Sequence, residues 1–407
     1  MVGLARSGAA AMRMLAPHGE VIGVDSGAPP PPGGFEVHLH SDGLDLLDRV
    51  RTVVKSPGVP QEAPVIQAAR ARGIEVTGEL ELAWRLMPAT RFVAVTGTNG
   101  KTTTVELLGA MLGAAVAGNV GTALSSLVED APPLVVCEAS SFQLEDASQF
   151  APDVAVLINL GEDHHDRHGT VEAYQAAKLR IFENQTGEDI AVMPLALARP
   201  GAVTFGRPGA DLERVGAGLR WRRKPLMATA EIRLRGEHNI ENAMAAAAAA
   251  LADGAPPDDV REALRTFAGV PHRLEEVAER DGILYVNDSK ATNVGAAVVG
   301  IEAFEPGSVH AILGGSLKGG GFAGLRSAVA SRAKAAYLIG EAAPRLEADL
   351  AETVPLHRAG DLATAVAQAR AAAEPGDVIL LSPATASYDQ YENFERRGDH
   401  FRELARG

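Results

Sequence analysis

The run Gly97-Thr98-Asn99-Gly100-Lys101-Thr102-Thr103 constrains this chain more than any other stretch. It stands between an apolar run, Phe92-Val93-Ala94-Val95, and a segment with helical patterning that begins Thr104-Val105-Glu106-Leu107-Leu108. Strand, glycine loop and helix in that order build a phosphate cradle. The glycines let backbone N–H groups converge on phosphate oxygens, and the helix aims the positive end of its dipole at the same point. Lys101 is placed to neutralise a β- or γ-phosphate, and the Thr102 hydroxyl to reach a Mg²⁺. The strict P-loop pattern wants another glycine five positions before Gly100, where Val95 stands, so this loop is a variant. Apolar runs alternate with helical stretches along the rest of the chain, the signature of α/β layers.

At roughly 150 residues per domain, a chain of 407 residues holds two or three domains. Two breaks suggest three: Leu86-Met87-Pro88, and a turn near Gly269 before Val270-Pro271-His272-Arg273. The expected segments are 1–87, 88–269 and 270–407. Strands that run into turns are expected within 21–25 and 52–58 in the first, and strands at 283–286, 311–313, 336–339 and 378–381 in the third. A net charge of −14 argues against nucleic acid or an anionic membrane as the main partner. An anionic small molecule is compatible with it, because a phosphate site depends on local amides and lysines. The single cysteine, Cys137, excludes an intrachain disulfide and fits a reducing cytosol; its setting, Leu134-Val135-Val136-Cys137, reads as core. The alanine run at 245–250 is too short to cross a bilayer and reads as a buried helix. A cytoplasmic protein without membrane insertion is expected.

The beginning of the chain is unusual. Gly3-Leu4-Ala5-Arg6-Ser7-Gly8 resembles the turn after the first strand of a nucleotide-binding sheet, yet only Met1 and Val2 precede it. Strands take about 5–6 residues. The expectation is an apparently truncated first strand: either the strand is missing or, the favoured reading, the start codon is placed too late.

Three polar features lie downstream of the cradle. Glu138 ends an apolar strand, where a carboxylate either faces solvent or reaches a Mg²⁺ held by phosphates. Gly161-Glu162-Asp163-His164-His165-Asp166-Arg167-His168 follows another strand and reads as a solvated loop or a metal site. Its spacing does not match structural zinc. Lys178 lies in a helical segment, 173–182, and on pattern alone is a surface lysine, since lysine is rarely buried.

Taken together, these segments resemble the Mur ligase family, the ATP-dependent amino-acid-adding enzymes of peptidoglycan synthesis. The loop has that family's Gly-Thr-Asn-Gly-Lys form. The likeness continues through Gly118-Asn119-Val120-Gly121, Gly236-Glu237-His238-Asn239, Pro271-His272-Arg273, Asn287-Asp288-Ser289-Lys290-Ala291-Thr292-Asn293 and Ser382-Pro383-Ala384-Thr385-Ala386-Ser387-Tyr388-Asp389-Gln390, with Asn393-Phe394-Glu395-Arg396-Arg397-Gly398 behind it. Segments 140–145, 287–293 and 382–398 look most like the branch that adds D-glutamate.

The resemblance implies three α/β domains: a Rossmann-like first domain, a central P-loop-type ATPase and a Rossmann-like third. It implies that Gly97, Thr98, Asn99, Gly100, Lys101, Thr102 and Thr103 cradle ATP, with Asn239, Arg273 and Asp288 holding the nucleotide. Two Mg²⁺ ions are implied, one on Thr102 and Glu138, the other on His164 and a CO₂-derived carbamate of Lys178. Such a carbamate needs a deprotonated amine, hence desolvation or cationic neighbours. Arg6, Ser7, Asp25, Gly58 and Asn119 would contact UDP-N-acetylmuramoyl-L-alanine. Thr292, Lys318, Ser387, Tyr388 and Phe394 would contact D-glutamate, Tyr388 at a position expected to be apolar and to act through its backbone. A monomer is expected. The rivals are another amino-acid ligase of the same family, a dinucleotide-dependent dehydrogenase suggested by residues 3–8 and Asp25, and a non-catalytic binding protein.

Overall fold

A parallel sheet begins with the chain's first three residues. The computed structural model describes residues 1–407 except Val120, His164, Lys318 and Gly319, and except the side chains of Arg6, His165 and Asp166. Strand β1 (Ile22–Asp25) pairs in parallel with β2 (Glu36–Leu39), and β3 (Thr52–Lys55) with β4 (Glu75–Gly78). Val2 bridges both pairs: its N–H donates to Val54 O, and its carbonyl accepts from Ser56 N. Gly3 N donates to Val24 O, and the Met1 amine to Ile22 O. The short segment expected to be a truncated strand thus fills the central slot between β1 and β3. Helices α1 (Arg6–Leu15), α2 (Pro64–Ala71) and α3 (Glu79–Arg85) pack Met12, Ile66 and Leu80 inward.

The second sheet has nine strands: β5 (Arg91–Thr96), β6 (Ala115–Gly118), β7 (Leu134–Glu138), β8 (Val154–Leu157), β9 (Ile190–Pro194), β10 (Val203–Gly206), β11 (Leu212–Val215), β12 (Gly218–Trp221) and β13 (Lys224–Ala228). Their order is β13-β12-β11-β10-β9-β8-β5-β7-β6. Among the described residues only the β11–β12 and β12–β13 pairs are antiparallel. Val93, Val95, Val135, Val136, Val154 and Val156 are buried, as strands covered on both faces require. β5 lies between β7 and β8, and ligands of open α/β sheets bind where strand order turns, at the carboxyl ends. Helices α4 (Lys101–Leu112), α5 (Ser141–Leu144), α6 (His165–His168) and α7 (Val171–Leu179) leave those ends. Cys137 is core, as expected, and so is the alanine run, inside α8 (Glu237–Ala252). α9 (Pro257–Thr266) follows.

By its contacts the chain divides into two compact units, Met1–Arg233 with His238–Phe267, and Leu234–Glu237 with Ala268–Gly407. The second carries a six-stranded sheet of β14 (Glu275–Arg280), β15 (Ile283–Asn287), β16 (Val309–Gly314), β17 (Ala333–Ile339), β18 (Leu356–Gly360) and β19 (Val378–Leu381), ordered β14-β15-β19-β16-β17-β18. All pairs are parallel except the edge pair β14–β15. The four strands expected here from sequence fall on β15, β16, β17 and β19. α10 (Val294–Glu302), α11 (Arg326–Arg332) and α12 (Ala343–Asp349) cover one core, while α13 (Leu362–Ala372) and α14 (Phe394–Arg406) cover the other. Among the described residues no helix is long and apolar enough to cross a membrane.

Candidate active site

The loop after β5 takes the shape its glycines permit. Gly100 caps α4 at φ +85°, and a Cβ built there would lie 1.9 Å from Asn242 Oδ1. Only glycine fits both the backbone and the space. Asn159, two residues beyond β8, clamps the loop: its Oδ1 accepts from Thr98 N and Asn99 N, each at 3.0 Å, and its Nδ2 donates to Asn99 O. Gly161 N donates to Thr98 Oγ1 at 2.9 Å. Lys101 Nζ donates to Gly97 O and Thr98 O, at 2.8 and 3.0 Å. Thr102 and Thr103 are buried in the first turn of α4.

Lys178 is not on the surface. Tyr174, Ala177 and Lys178 share one face of α7, at i, i+3 and i+4, and all three are buried. Lys178 is 1% exposed, donates to Gly97 O at 2.9 Å, and lies 4.4 Å from the Tyr174 ring centroid. Burial, then repulsion from Lys101, brings its amine down to about 7. Either cause favours the neutral amine over the ammonium. Glu138 is likewise buried rather than solvated, and accepts from Asn119 Nδ2 at 3.0 Å. Among the described residues no three His, Cys, Asp or Glu side chains gather as a metal set. Mg²⁺ uses one or two carboxylates alongside substrate phosphates rather than a protein cage. The oxygen donors Thr102 and Glu138 fit that habit. His164 lies outside the described residues.

The first sheet contributes a cavity of about 510 Å³ lined by Asp25, Ser26, Ser56, Gly58, Val59 and Pro60, among others. Asp25 is fixed at its edge, accepting from Leu4 N at 2.7 Å and Gly27 N at 2.8 Å. Ser7 Oγ lies 3.4 Å from Ser56 Oγ. The Arg6 side chain lies outside the described residues. Asn119 is placed with Glu138 instead.

In the second unit Asp288 is buried. Its Oδ2 accepts from Ser382 Oγ at 2.7 Å, and burial pushes its carboxyl up to about 7 against that bond and the neighbouring Arg273. Ser387 Oγ and Thr385 Oγ1 are buried without a hydrogen-bond partner among the described residues. Unsatisfied buried hydroxyls are costly, and they suit a ligand that supplies the missing acceptor. Phe394 starts α14, packs edge-on to His272, and accepts from Ser289 Oγ through its carbonyl. Thr292 is exposed, and the Tyr388 side chain is 67% exposed. Lys318 lies outside the described residues. Asn239, in α8 of the first unit, accepts from Asn242 Nδ2 at 3.2 Å.

Arg397, to which the sequence assigns no role, ties these segments together. Fully buried, it donates to Ser289 Oγ, Ser289 O, Thr385 O, Gly314 O and Ala386 O. Burial draws its guanidinium down to about 10. Arg397→Ala strands these acceptors at about 1–3 kcal/mol for each that stays unsatisfied. The expected loss of stability exceeds about 3 kcal/mol in urea unfolding, above the ordinary range for single substitutions. Asn159 and Asn242 were also missed. Asn242 sits at i+3 from Asn239 on a segment readable as helix, which is a usable signal; Asn159 offered none beyond ending an apolar run.

Residues 95–199 match the Mur ligase middle domain, and residues 272–385 the Mur ligase, glutamate ligase domain. The chain is 43% identical over 396 residues to a UDP-N-acetylmuramoylalanine–D-glutamate ligase of Acidobacterium capsulatum, covering 91% of this chain and 86% of that one. Identity is again 43%, over 445 residues, with the enzyme of that name from Anaeromyxobacter dehalogenans, covering 100% and 96%. The crystal structure of UDP-N-acetylmuramate-alanine ligase MurC from Thermotoga maritima superposes with a TM-score of 0.63 at 19% identity, over 100% of this chain and 98% of that one, which shows the fold. The chain belongs to the Mur ligase family, in its UDP-N-acetylmuramoylalanine–D-glutamate ligase group.

Proposed function

We propose that this chain joins D-glutamate to UDP-N-acetylmuramoyl-L-alanine while converting ATP to ADP and phosphate. One observation carries the reading beyond family membership: Lys101 and the buried Lys178 converge on a single carbonyl, Gly97 O, at the mouth of the phosphate loop. A loop that only binds nucleotide has no use for a second, desolvated amine there. Carbamylation of Lys178 by CO₂ would turn that amine into an anionic oxygen donor, and an amine at about 7 is reactive enough to form it. Two Mg²⁺ ions, assigned to Thr102 with Glu138 and to His164 with the Lys178 carbamate, would supply positive charge where phosphate oxygens crowd together.

The chemistry follows from charge. A carboxylate is a poor electrophile and has no leaving group. Its oxygen takes the γ-phosphoryl group, ADP departs, and an acyl phosphate remains. Lys101 offsets the negative charge that gathers on the phosphate loop, and the backbone amides of residues 97–103 orient the phosphates. The amine of D-glutamate attacks the acyl carbon and gives up a proton. The C–O bond then breaks, and phosphate leaves with the bridging oxygen.

Ser387 and Phe394, with Thr292, Lys318 and the backbone at Tyr388, are assigned to D-glutamate. Arg273, Asp288 and Asn239 are assigned to the nucleotide. Arg6, Ser7, Asp25 and Gly58, with Asn119 nearer the reacting end, are assigned to the uridine-linked substrate. The three segments 1–87, 88–269 and 270–407 are assigned in turn to that substrate, ATP and the amino acid. A cytoplasmic monomer acting on small molecules completes the proposal.

The test is isotopic. With ¹⁸O in the alanyl carboxylate of UDP-N-acetylmuramoyl-L-alanine, one ¹⁸O should appear in the released phosphate. Amide product formed without label transfer would contradict the acyl phosphate.

A further inference from the structure

A buried ion pair joins the layer that carries the first cavity to the layer that carries the phosphate loop, within one compact unit. Lys55, the last residue of β3, is fully buried. Its Nζ lies 2.7 Å from Asp146 Oδ2 and donates to Val59 O at 2.9 Å. Val59 lines the cavity together with Ser56, Gly58 and Pro60. Asp146 lies just beyond α5, and its Oδ1 accepts from Gln61 Nε2 at 2.8 Å. The same Gln61 nitrogen donates to Glu145 Oε2 at 3.0 Å. Gly78 leaves the room for this approach, since a Cβ there would meet Asp146 Cβ at 3.1 Å.

The far end of the contact is anchored toward the reacting groups. Glu145 pairs with Arg167 at 3.2 Å and with His168 Nδ1 at 3.0 Å. The His168 ring packs against Tyr174, whose own ring lies under Lys178 Nζ. The lip of the cavity is therefore tied, through Lys55 and Gln61, to the turn that carries Glu145.

Desolvating a lysine and an aspartate is costly, and two apolar side chains of similar volume would hold the layers together at least as well. An apolar pair would not grip the Val59 carbonyl or orient Gln61. The ion pair adds direction rather than adhesion.

We propose that Lys55, with Asp146 and Gln61, is a positioning residue that sets the cavity lip in register with the phosphate loop for the uridine-linked substrate. This rests on the ligase reading, and because the lip touches the uridine end of that substrate rather than its reacting carboxylate, losing the contact weakens binding and appears in KM.

The variant to make is Lys55→Met/Asp146→Leu, which removes both charges and leaves neither buried alone. Its urea midpoint should stay near that of the unaltered protein. The KM for UDP-N-acetylmuramoyl-L-alanine should rise about ten-fold or more, while the KM for ATP and for D-glutamate, and kcat, stay within about two-fold. The amides of Val59 and Ala63 should exchange about ten-fold faster. Unchanged exchange overturns the proposal, and so does faster exchange with unchanged KM. Calorimetric affinity for UDP alone separates this from the ligase reading. A ten-fold weaker affinity in the double variant supports the strut even if neither protein turns over; equal affinity overturns it.

Discussion

Lys178→Ala should lose about 10²- to 10⁴-fold in kcat/KM. The figure follows from removing the side chain assigned to a metal-bound, phosphate-facing position. Two charge-assisted contacts at about 1.5–3 kcal/mol each amount to about 3–6 kcal/mol, and each 1.36 kcal/mol is ten-fold. Acetate or formate should restore part of the activity, because a small carboxylate fits the space left by the side chain and supplies the missing anionic oxygens. No rescue at saturating acid would count against the carbamate. The pH dependence has a definite sign. An ordinary lysine near 10.4 is only about 0.04% neutral at pH 7, whereas one lowered to about 7 is half neutral. Carbamate formation and activity should therefore fall as pH drops below 7 and recover above it. The contribution to stability has the same direction. Between about 7 and the unfolded value of 10.5 the unfolded chain holds more protons, so this group's contribution to folding grows as pH rises through that window.

Gly100→Ala should destabilise the protein and open its phosphate loop. Two costs add. An L-residue in the left-handed region costs about 1–2 kcal/mol, and a Cβ 1.9 Å from Asn242 Oδ1 forces repacking at about 1–3 kcal/mol. The expected loss in urea unfolding is about 2–5 kcal/mol, with a raised KM for ATP because the loop opens. Gly113 provides the control. It ends α4 at φ +62° with nothing within 4 Å of an added Cβ, so Gly113→Ala should show the backbone cost alone. Gly100→Ala/Asn242→Ala should regain the packing part and not the backbone part. Equal losses at Gly100 and Gly113 would refute the steric account.

The sequence made the phosphate loop legible because every part of it is local. An apolar run, two glycines, a lysine and a helix lie within about a dozen consecutive positions, and the physics of the cradle acts at that range. The alternation of strands and helices was legible for the same reason, as were the core positions of Cys137 and residues 245–250. Burial of single charged residues was not. Lys178 and Glu138 each read as solvent-facing in isolation, because the residues that enclose them come from elsewhere: Gly97 is 81 positions from Lys178, and Asn119 is 19 from Glu138. Arg397 was invisible as a tie between segments, since its partners are backbone carbonyls, and a carbonyl has no letter in a sequence. The first strand is as short as its length in the sequence suggested: Val2 alone bridges to Val24 and Lys55, with hydrogen bonds from Met1 and Gly3 to β1 beside it. The Lys55–Asp146 pair spans 91 positions and two layers, and no local pattern points to it.

The most direct measurement is phosphate release from ATP and Mg²⁺ with UDP-N-acetylmuramoyl-L-alanine, run with D-glutamate, with L-glutamate, and with neither. Sustained release that requires both the uridine-linked substrate and D-glutamate, with L-glutamate giving no more than the background, is the predicted result. Release indifferent to the stereochemistry of glutamate, or sustained by another amino acid in its place, would contradict the assignment.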